Sequence, residues 1–301
     1  WVKPIMAVLQ FLGIYPGYEE SDIGGTFLIF FSLFFAMLIG DAAYGILLLL
    51  VTVVLSWKFK RKVPGYIRAM LGIVGSTTFV WGALSGNWLG LPNIPEPLKA
   101  LSVPWLADRD NVIWLCFLIG ASHLTIAHIW NAITASPKTK ALAELGWICV
   151  VWTMFFLAGN LVIGRPMPGF ILYVLGAGIV LVIVFMATPS ELKTSWINHA
   201  LLPLTVIGNF VDVVSYVRLF AVGFASVAVV RSFNSMASSI GFDKPMKAIM
   251  AVLILVFAHS LNLVLGALAV LVHAVRLNTL EFSTHMGLQW QGFLYKPFAR
   301  R

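Results

Sequence analysis

The chain alternates between long apolar runs and short polar links. The apolar runs cover approximately residues 24–57, 66–89, 111–134, 145–163, 168–188, 197–235 and 246–282. The links carry the residues that interrupt helices: VPG at 63, PNIPEP at 92, SPKTK at 136, RPMPG at 165, PSELK at 189 and GFDKP at 241. Runs of this length must satisfy their backbone internally when surrounded by lipid, which predicts α-helices. A membrane barrel would instead alternate apolar and polar residues in segments of about 10, a pattern these runs do not follow. The predicted fold is therefore an all-α polytopic membrane protein.

Length and charge set the number of crossings. The run at 24–57 would make a helix of roughly 51 Å, against a hydrocarbon core of about 30 Å. A break near Gly40–Asp41 gives two spans of about 17 residues each, at the short limit for a crossing. The basic residues sit at KFKRK (58–62), at Lys138 and Lys140, and in the tail at Lys296, Arg300 and Arg301. The positive-inside bias places all three clusters in the cytoplasm, and the spans between them agree with that. If residues 1–22 are also cytoplasmic, the first run crosses twice and the total is about eight; if they are external, seven suffice. The charges favour eight. Residues 200–235 and 246–281 would each make about 54 Å of helix, so these two must tilt strongly or project from the bilayer. The expected organisation is an N-terminal cytoplasmic approach (1–23), a bundle of about six spans (24–195), and two long tilted helices with a cytoplasmic tail (196–301). The opening WVKPIM carries no basic start and apolar core, and a first residue of Trp reads as a piece of a longer protein.

Composition sharpens this picture. The chain is 60% hydrophobic and 11% charged, with a mean hydropathy of +0.93, where soluble domains carry about 25% charged residues. The net charge of +8 lies mostly in the links, so it does not point to nucleic acid. Cys116 and Cys149 fall in apolar runs and read as packing residues. His123 and His128 are five apart, off the i, i+4 spacing of a metal-binding helix, and no metal or cofactor is expected. Neither a phosphate-binding loop nor a nucleophile–histidine–acid constellation occurs, which argues against catalysis by this chain.

The informative residues are polar ones inside apolar runs. Arg218 lies more than ten residues from either end of its run, too far to snorkel, at a cost of about 2.5–3.5 kcal/mol on insertion scales. One explanation is an internal salt bridge, with Asp212 or Asp41 as partners; the other is a role in ion or substrate passage. Asn209, Asp212 and Ser215 precede it at steps of three and form a polar line that drifts around the helix. His259, Asn262, Gly266, His273 and Arg276 follow steps of three and four along one face of the last helix, a polar seam or cavity wall. Glu281, five residues after Arg276, is poorly placed as its partner in an α-helix and is expected to pair elsewhere near the cytoplasmic surface or be solvated. Asn278 and His285 read as surface residues. Asp41 reads first as a cap on the second half of a broken helix.

Four stretches carry a family resemblance. FFSLFFAMLIGDAAYG (residues 30–45), SYVRLFAVGFA (215–225), VHAVRLNTLEF (272–282) and WQGFLYKPF (290–298) resemble, in order and spacing, motifs of the membrane domain of the a subunit of rotary V-type ATPases, called subunit I in bacterial and archaeal V/A-type enzymes. The resemblance covers essentially the whole chain. It departs from the family at Ala36 and Ala43, where glycine is expected, and at Ser226, where eukaryotic relatives often carry histidine. The last departure leans towards a bacterial or archaeal member, in the cytoplasmic membrane.

The resemblance implies eight spans and a non-catalytic stator role. Arg218 would face a rotor ring of carboxylate-bearing subunits. Arg276, His273, Asp212, Asn209, Ser215, Glu281, Asn262, His259 and Asp41 would line or shape proton or sodium half-channels. The implied partners are that ring, a peripheral stalk, other subunits of the complex and lipid. Two other readings compete: a secondary transporter using Arg218 to bind an anion, and a non-transporting scaffold in which the polar residues join helices.

Overall fold

The computed structural model describes residues 3–14, 17, 20–187, 196–290 and 292. The PSELK link and the basic tail at 296–301 lie outside the described residues. The described residues form helices and connecting turns, without a strand. In chain order the helices are α1 (Met6–Leu12), α2 (Gly24–Ile39), α3 (Ala42–Lys58), α4 (Gly65–Leu84), α5 (Glu96–Lys99), α6 (Arg109–Thr134), α7 (Lys140–Ile163), α8 (Ile171–Phe185) and α9 (Trp196–Ala200). Two long ones follow, α10 (Leu202–Ile240) and α11 (Pro245–Met286).

Five helices, α4, α6, α7, α10 and α11, are long and apolar enough to cross a membrane. The apolar helices α2, α3 and α8 are shorter, at 16, 17 and 15 residues. The 39 residues of α10 and 42 of α11 correspond to roughly 58 and 63 Å, about twice a hydrocarbon core. Only 17% of the most apolar window of α11 is buried, against 44% for α6 and α7. Large side chains such as Leu253, Phe257 and Leu268 are exposed along it, as suits a surface covered by lipid or by another apolar protein.

The expected break in the first apolar run is present, with α2 ending at Ile39 and α3 beginning at Ala42. Gly40 takes a left-handed conformation (φ +67°) that ends α2. Asp41 then caps α3, its Oδ1 accepting from the Ala43 N–H at 2.8 Å. Asn87 completes the turn: its Nδ2 donates to the Gly40 carbonyl at 2.9 Å, and its own carbonyl accepts from the Ala42 N–H at 3.0 Å. Helix α4 passes so close that a Cβ at Gly82 would lie 2.0 Å from the Ala42 nitrogen, so only glycine fits there.

The chain divides into two compact units. The first comprises Trp1–Asp108, Leu219–Asn278 and Leu288–Arg301; the second comprises Arg109–Arg218 and Thr279–Gly287. The core of the first is built on Phe27, Phe34 and Leu38 of α2 with Leu219 and Leu277. In the second, Phe117 and Leu124 of α6, Val150 of α7, Tyr216 and Phe282 are almost wholly buried, and Trp114 packs on Phe155 with ring centroids 4.1 Å apart.

Ahead of α2, Glu20 accepts from the backbone N–H groups of Gly17, Gln289 and Trp290 at 2.5, 2.6 and 3.2 Å. Burial opposes ionisation of Glu20, but the three N–H groups outweigh it and hold the carboxyl below its ordinary value of 4.5. A depressed carboxylate stabilises the fold above its unfolded value and loses that contribution as pH falls through the folded value. Acidification from pH 6 to pH 3 is therefore expected to loosen residues 289–290, read as faster proteolysis of the C-terminal segment. Glu20→Gln should show the fast rate at both pH values.

Candidate functional site

Helix α10 is irregular just before Arg218. Its α-helical hydrogen bonding is interrupted at Tyr216, between Ser215 and Val217. Arg218 Nε donates to the Ser215 carbonyl at 3.0 Å, which ties the guanidinium back over the interruption. Its Nη2 donates to Glu281 Oε1 at 3.0 Å, and Ser215 Oγ donates to the same oxygen at 3.2 Å. The Glu281 side chain is 5% exposed and that of Arg218 is 28% exposed. A guanidinium has five N–H donors, and the two bonds to Ser215 and Glu281 leave others on the open side.

Arg218 is thus in an internal ion pair, with Glu281 rather than with Asp212 or Asp41. Glu281 is buried, not solvated. The reason lies in α11, which changes from α to π hydrogen bonding over Val270–Ala274 and again over Leu277–Phe282. Each π turn holds more residues than an α turn, so spacing counted in α-turns misplaces every group beyond it. Asn278 and His285 depart from the surface reading for the same reason. Asn278 is fully buried, with its Nδ2 donating to the Ala274 carbonyl at 3.0 Å. The His285 side chain is only 6% exposed.

A second group of polar residues lines a cavity of about 320 Å³ in the same unit, among them Asn209, Asp212, His128, Glu144, Thr205 and His285. Glu144 Oε2 lies 2.7 Å from His128 Nδ1. His128 Nε2 lies 2.9 Å from His285 Nδ1, and His285 Nε2 lies 3.1 Å from Asp212 Oδ2. Asn209 is buried, its Nδ2 donating to the Thr205 carbonyl at 2.9 Å. The single Ser215 hydroxyl proton is shared between Glu281 Oε1 and the Asp212 carbonyl, which lies 2.8 Å from Oγ, so the cavity wall and the Arg218 pair share one helical turn. Nearby, His123 is fully buried, bonded to the Tyr216 hydroxyl at 2.9 Å and stacked on Phe282 at 4.3 Å.

The polar seam of α11 is only partly assembled into one network. In the first unit His259 Nδ1 lies 2.7 Å from the Tyr44 hydroxyl. Asn262 Oδ1 accepts from Ser226 Oγ at 2.7 Å, and Asn262 Nδ2 reaches the Tyr44 hydroxyl at 3.4 Å. Asn262 is buried and His259 half-buried, as is His273, whereas Arg276 is exposed. Asp41, 3% exposed, serves α3 as its cap. Sequence reasoning missed Tyr44, Ser226, His128, Glu144 and His285. Among the described residues no group of three or more His, Cys, Asp or Glu is arranged to hold a metal ion.

No family model matches the chain. Individual proteins do. The chain is 36% identical over 321 residues to V-type ATP synthase subunit I 1 of Treponema pallidum, covering 100% of this chain and 51% of that protein. It is 34% identical over 317 residues to V-type ATP synthase subunit I of Borreliella burgdorferi, covering 99% of this chain and 52% of that protein. It is 25% identical over 312 residues to A-type ATP synthase subunit I of Pyrococcus abyssi, covering 95% and 44% respectively. The chain spans about half the length of these relatives. Over 95–100% of its own length the chain is homologous to part of the proteins named V-type and A-type ATP synthase subunit I.

Proposed function

We propose that this chain is the ion-conducting stator portion of a rotary V/A-type ATP synthase, non-catalytic itself, lying in a bacterial or archaeal cytoplasmic membrane. It couples ion movement to rotation of a ring of carboxylate-bearing membrane subunits. The observation that carries this reading is Arg218: a charge within a 39-residue apolar helix, with a side chain 28% exposed and N–H donors left over. A ring carboxylate can travel through lipid only when neutralised by a proton or a sodium ion. Beside a fixed cation its ionised form is favoured, so it gives up its ion there. Arginine suits the task because it stays charged at any working pH, whereas a buried lysine readily loses its proton. Glu281 and Ser215 aim the guanidinium, and the same charge opposes a straight cation leak.

Two polar networks are the candidate half-channels. The positive-inside orientation puts the start of α7, the start of α10 and the end of α11 on the cytoplasmic side. The cavity with Asn209 and Asp212 then opens towards the cytoplasm, and Asp212, Ser215 and Glu281 lead from it to Arg218. The Tyr44, His259, Asn262 and Ser226 network is the second candidate path, and Asp41 is a further candidate ion-path residue. His273 and Arg276, on α11, are further candidate ion-path residues. The uncovered apolar flank of α11 suits contact with a ring and with lipid, and the remaining stalk subunits would hold the stator in place.

Two measurements test this. Purification of the full-length protein in mild detergent is expected to bring down a carboxylate-bearing ring; recovery of a lone, solute-transporting monomer would favour an anion carrier instead. Arg276→Ala is expected to slow ATP-driven ion uptake by about tenfold or less, short of abolishing it. An unchanged rate would assign Arg276 to packing.

A further inference from the structure

Three groups lining the cavity of the second unit, Glu144, His128 and His285, have no part in the path described above. We propose that they form a proton relay ending on Asp212, and that the ion delivered from this side is therefore a proton rather than sodium. The proposal rests on the reading of Asp212 and Arg218 as parts of an ion path.

The geometry is continuous. Glu144, His128, His285 and Asp212 follow one another at 2.7, 2.9 and 3.1 Å, within hydrogen-bond reach at every link. Each imidazole engages both of its nitrogens, one towards each neighbour. The two ring side chains are each 6% exposed, whereas the carboxylates at the ends are 24% and 31% exposed. Exchange with water is thus easiest at the ends, and the rings bridge the interior. The rings are also held in place. Trp147 lies nearly parallel to His128 at 6.4 Å, and Asn131 Nδ2 donates to the His285 carbonyl at 2.8 Å.

The transfer balances as follows. Glu144 takes a proton from water and passes it to His128 Nδ1. His128 releases its Nε2 proton to His285 Nδ1, and His285 releases its Nε2 proton to Asp212. One proton has moved from Glu144 to Asp212, and both rings are left in the opposite tautomer, which ring rotation or exchange with cavity water reverses. A sodium ion gains nothing from this arrangement. It prefers oxygen ligands, and the ring nitrogens are occupied by their neighbours.

The test uses the whole complex reconstituted in vesicles, with ATP added outside. Interior acidification is followed with a pH dye in sodium-free buffer, and sodium uptake with radioactive sodium. The unmodified complex is expected to acidify the vesicles without sodium and to accumulate none. Sodium-dependent uptake that survives a protonophore would overturn the relay without any variant, and would leave the Arg218 reading intact. His285→Ala and His128→Gln are each expected to slow acidification at least tenfold. Millimolar imidazole should restore much of the His285→Ala rate by entering the space left by the ring, which loss of packing alone would not allow. Normal acidification by both variants, or an absence of rescue in an assembled His285→Ala complex, counts against the relay. An Arg218→Ala complex that pumps normally would overturn the ion-path reading itself.

Discussion

Arg218→Ala abolishes ATP-driven ion uptake by vesicles carrying the whole complex, while the ring still copurifies with the variant: this is the largest effect expected of any single change in the chain. The argument is electrostatic. Without the guanidinium no fixed cation meets a ring carboxylate on its way past, so nothing favours release of its ion over retention. Lysine at this position is expected to rescue poorly. A flexible ammonium cannot reproduce the simultaneous bonds to the Ser215 carbonyl and Glu281, and it surrenders its charge more easily in an apolar setting. Assembly is expected to survive because Glu281 keeps the Ser215 hydroxyl at 3.2 Å as a donor, and because the proposed ring contact uses the apolar flank of α11. Uptake is read with a pH dye and with radioactive sodium in parallel, so the result does not depend on which ion is carried. Uptake at the unmodified rate would remove Arg218 from the mechanism.

Glu281→Ala is expected to destabilise the fold by about 3 kcal/mol. Removing one partner of a buried ion pair costs about 3–5 kcal/mol because a charge is left without its counter-ion. The low end applies because the Arg218 side chain is 28% exposed and can turn partly outward. The variant also strips the Ser215 hydroxyl of one acceptor. Thermal unfolding of the purified protein in detergent measures the loss. Replacing Arg218 and Glu281 together by methionine is expected to recover most of it, since an apolar pair of similar volume needs no desolvation. A double variant no more stable than Glu281→Ala would show that the cost came from packing and not from the unpaired charge.

What the sequence revealed followed the range of the interactions. The break at Gly40–Asp41 was legible because capping is a local matter, settled by a glycine able to take positive φ and an acid able to accept from the next turn. Arg218 was legible because its cost in an apolar run is a property of the run alone. Its partner was not, since the distance between Arg218 and Glu281 depends on how two helices pass and on two widened turns in α11, neither of which leaves a periodic mark. The histidine pair is a sharper case. His128 and His285 stand 157 positions apart, and each alone looks like an ordinary packing or surface residue. The Tyr44 and His259 contact, 215 positions apart, was hidden in the same way, although His259 itself stood out on its helical stripe.

The widened turns of α11 also bear on how relatives should be compared. A homologue that lost one residue between Val270 and Phe282 could wind that stretch as ordinary helix, swinging everything beyond by about 100°. Its acid would then face a new direction although the printed motif had barely changed. Matching letters in this region therefore do not guarantee matching orientation; the winding of the intervening coil has to be established first.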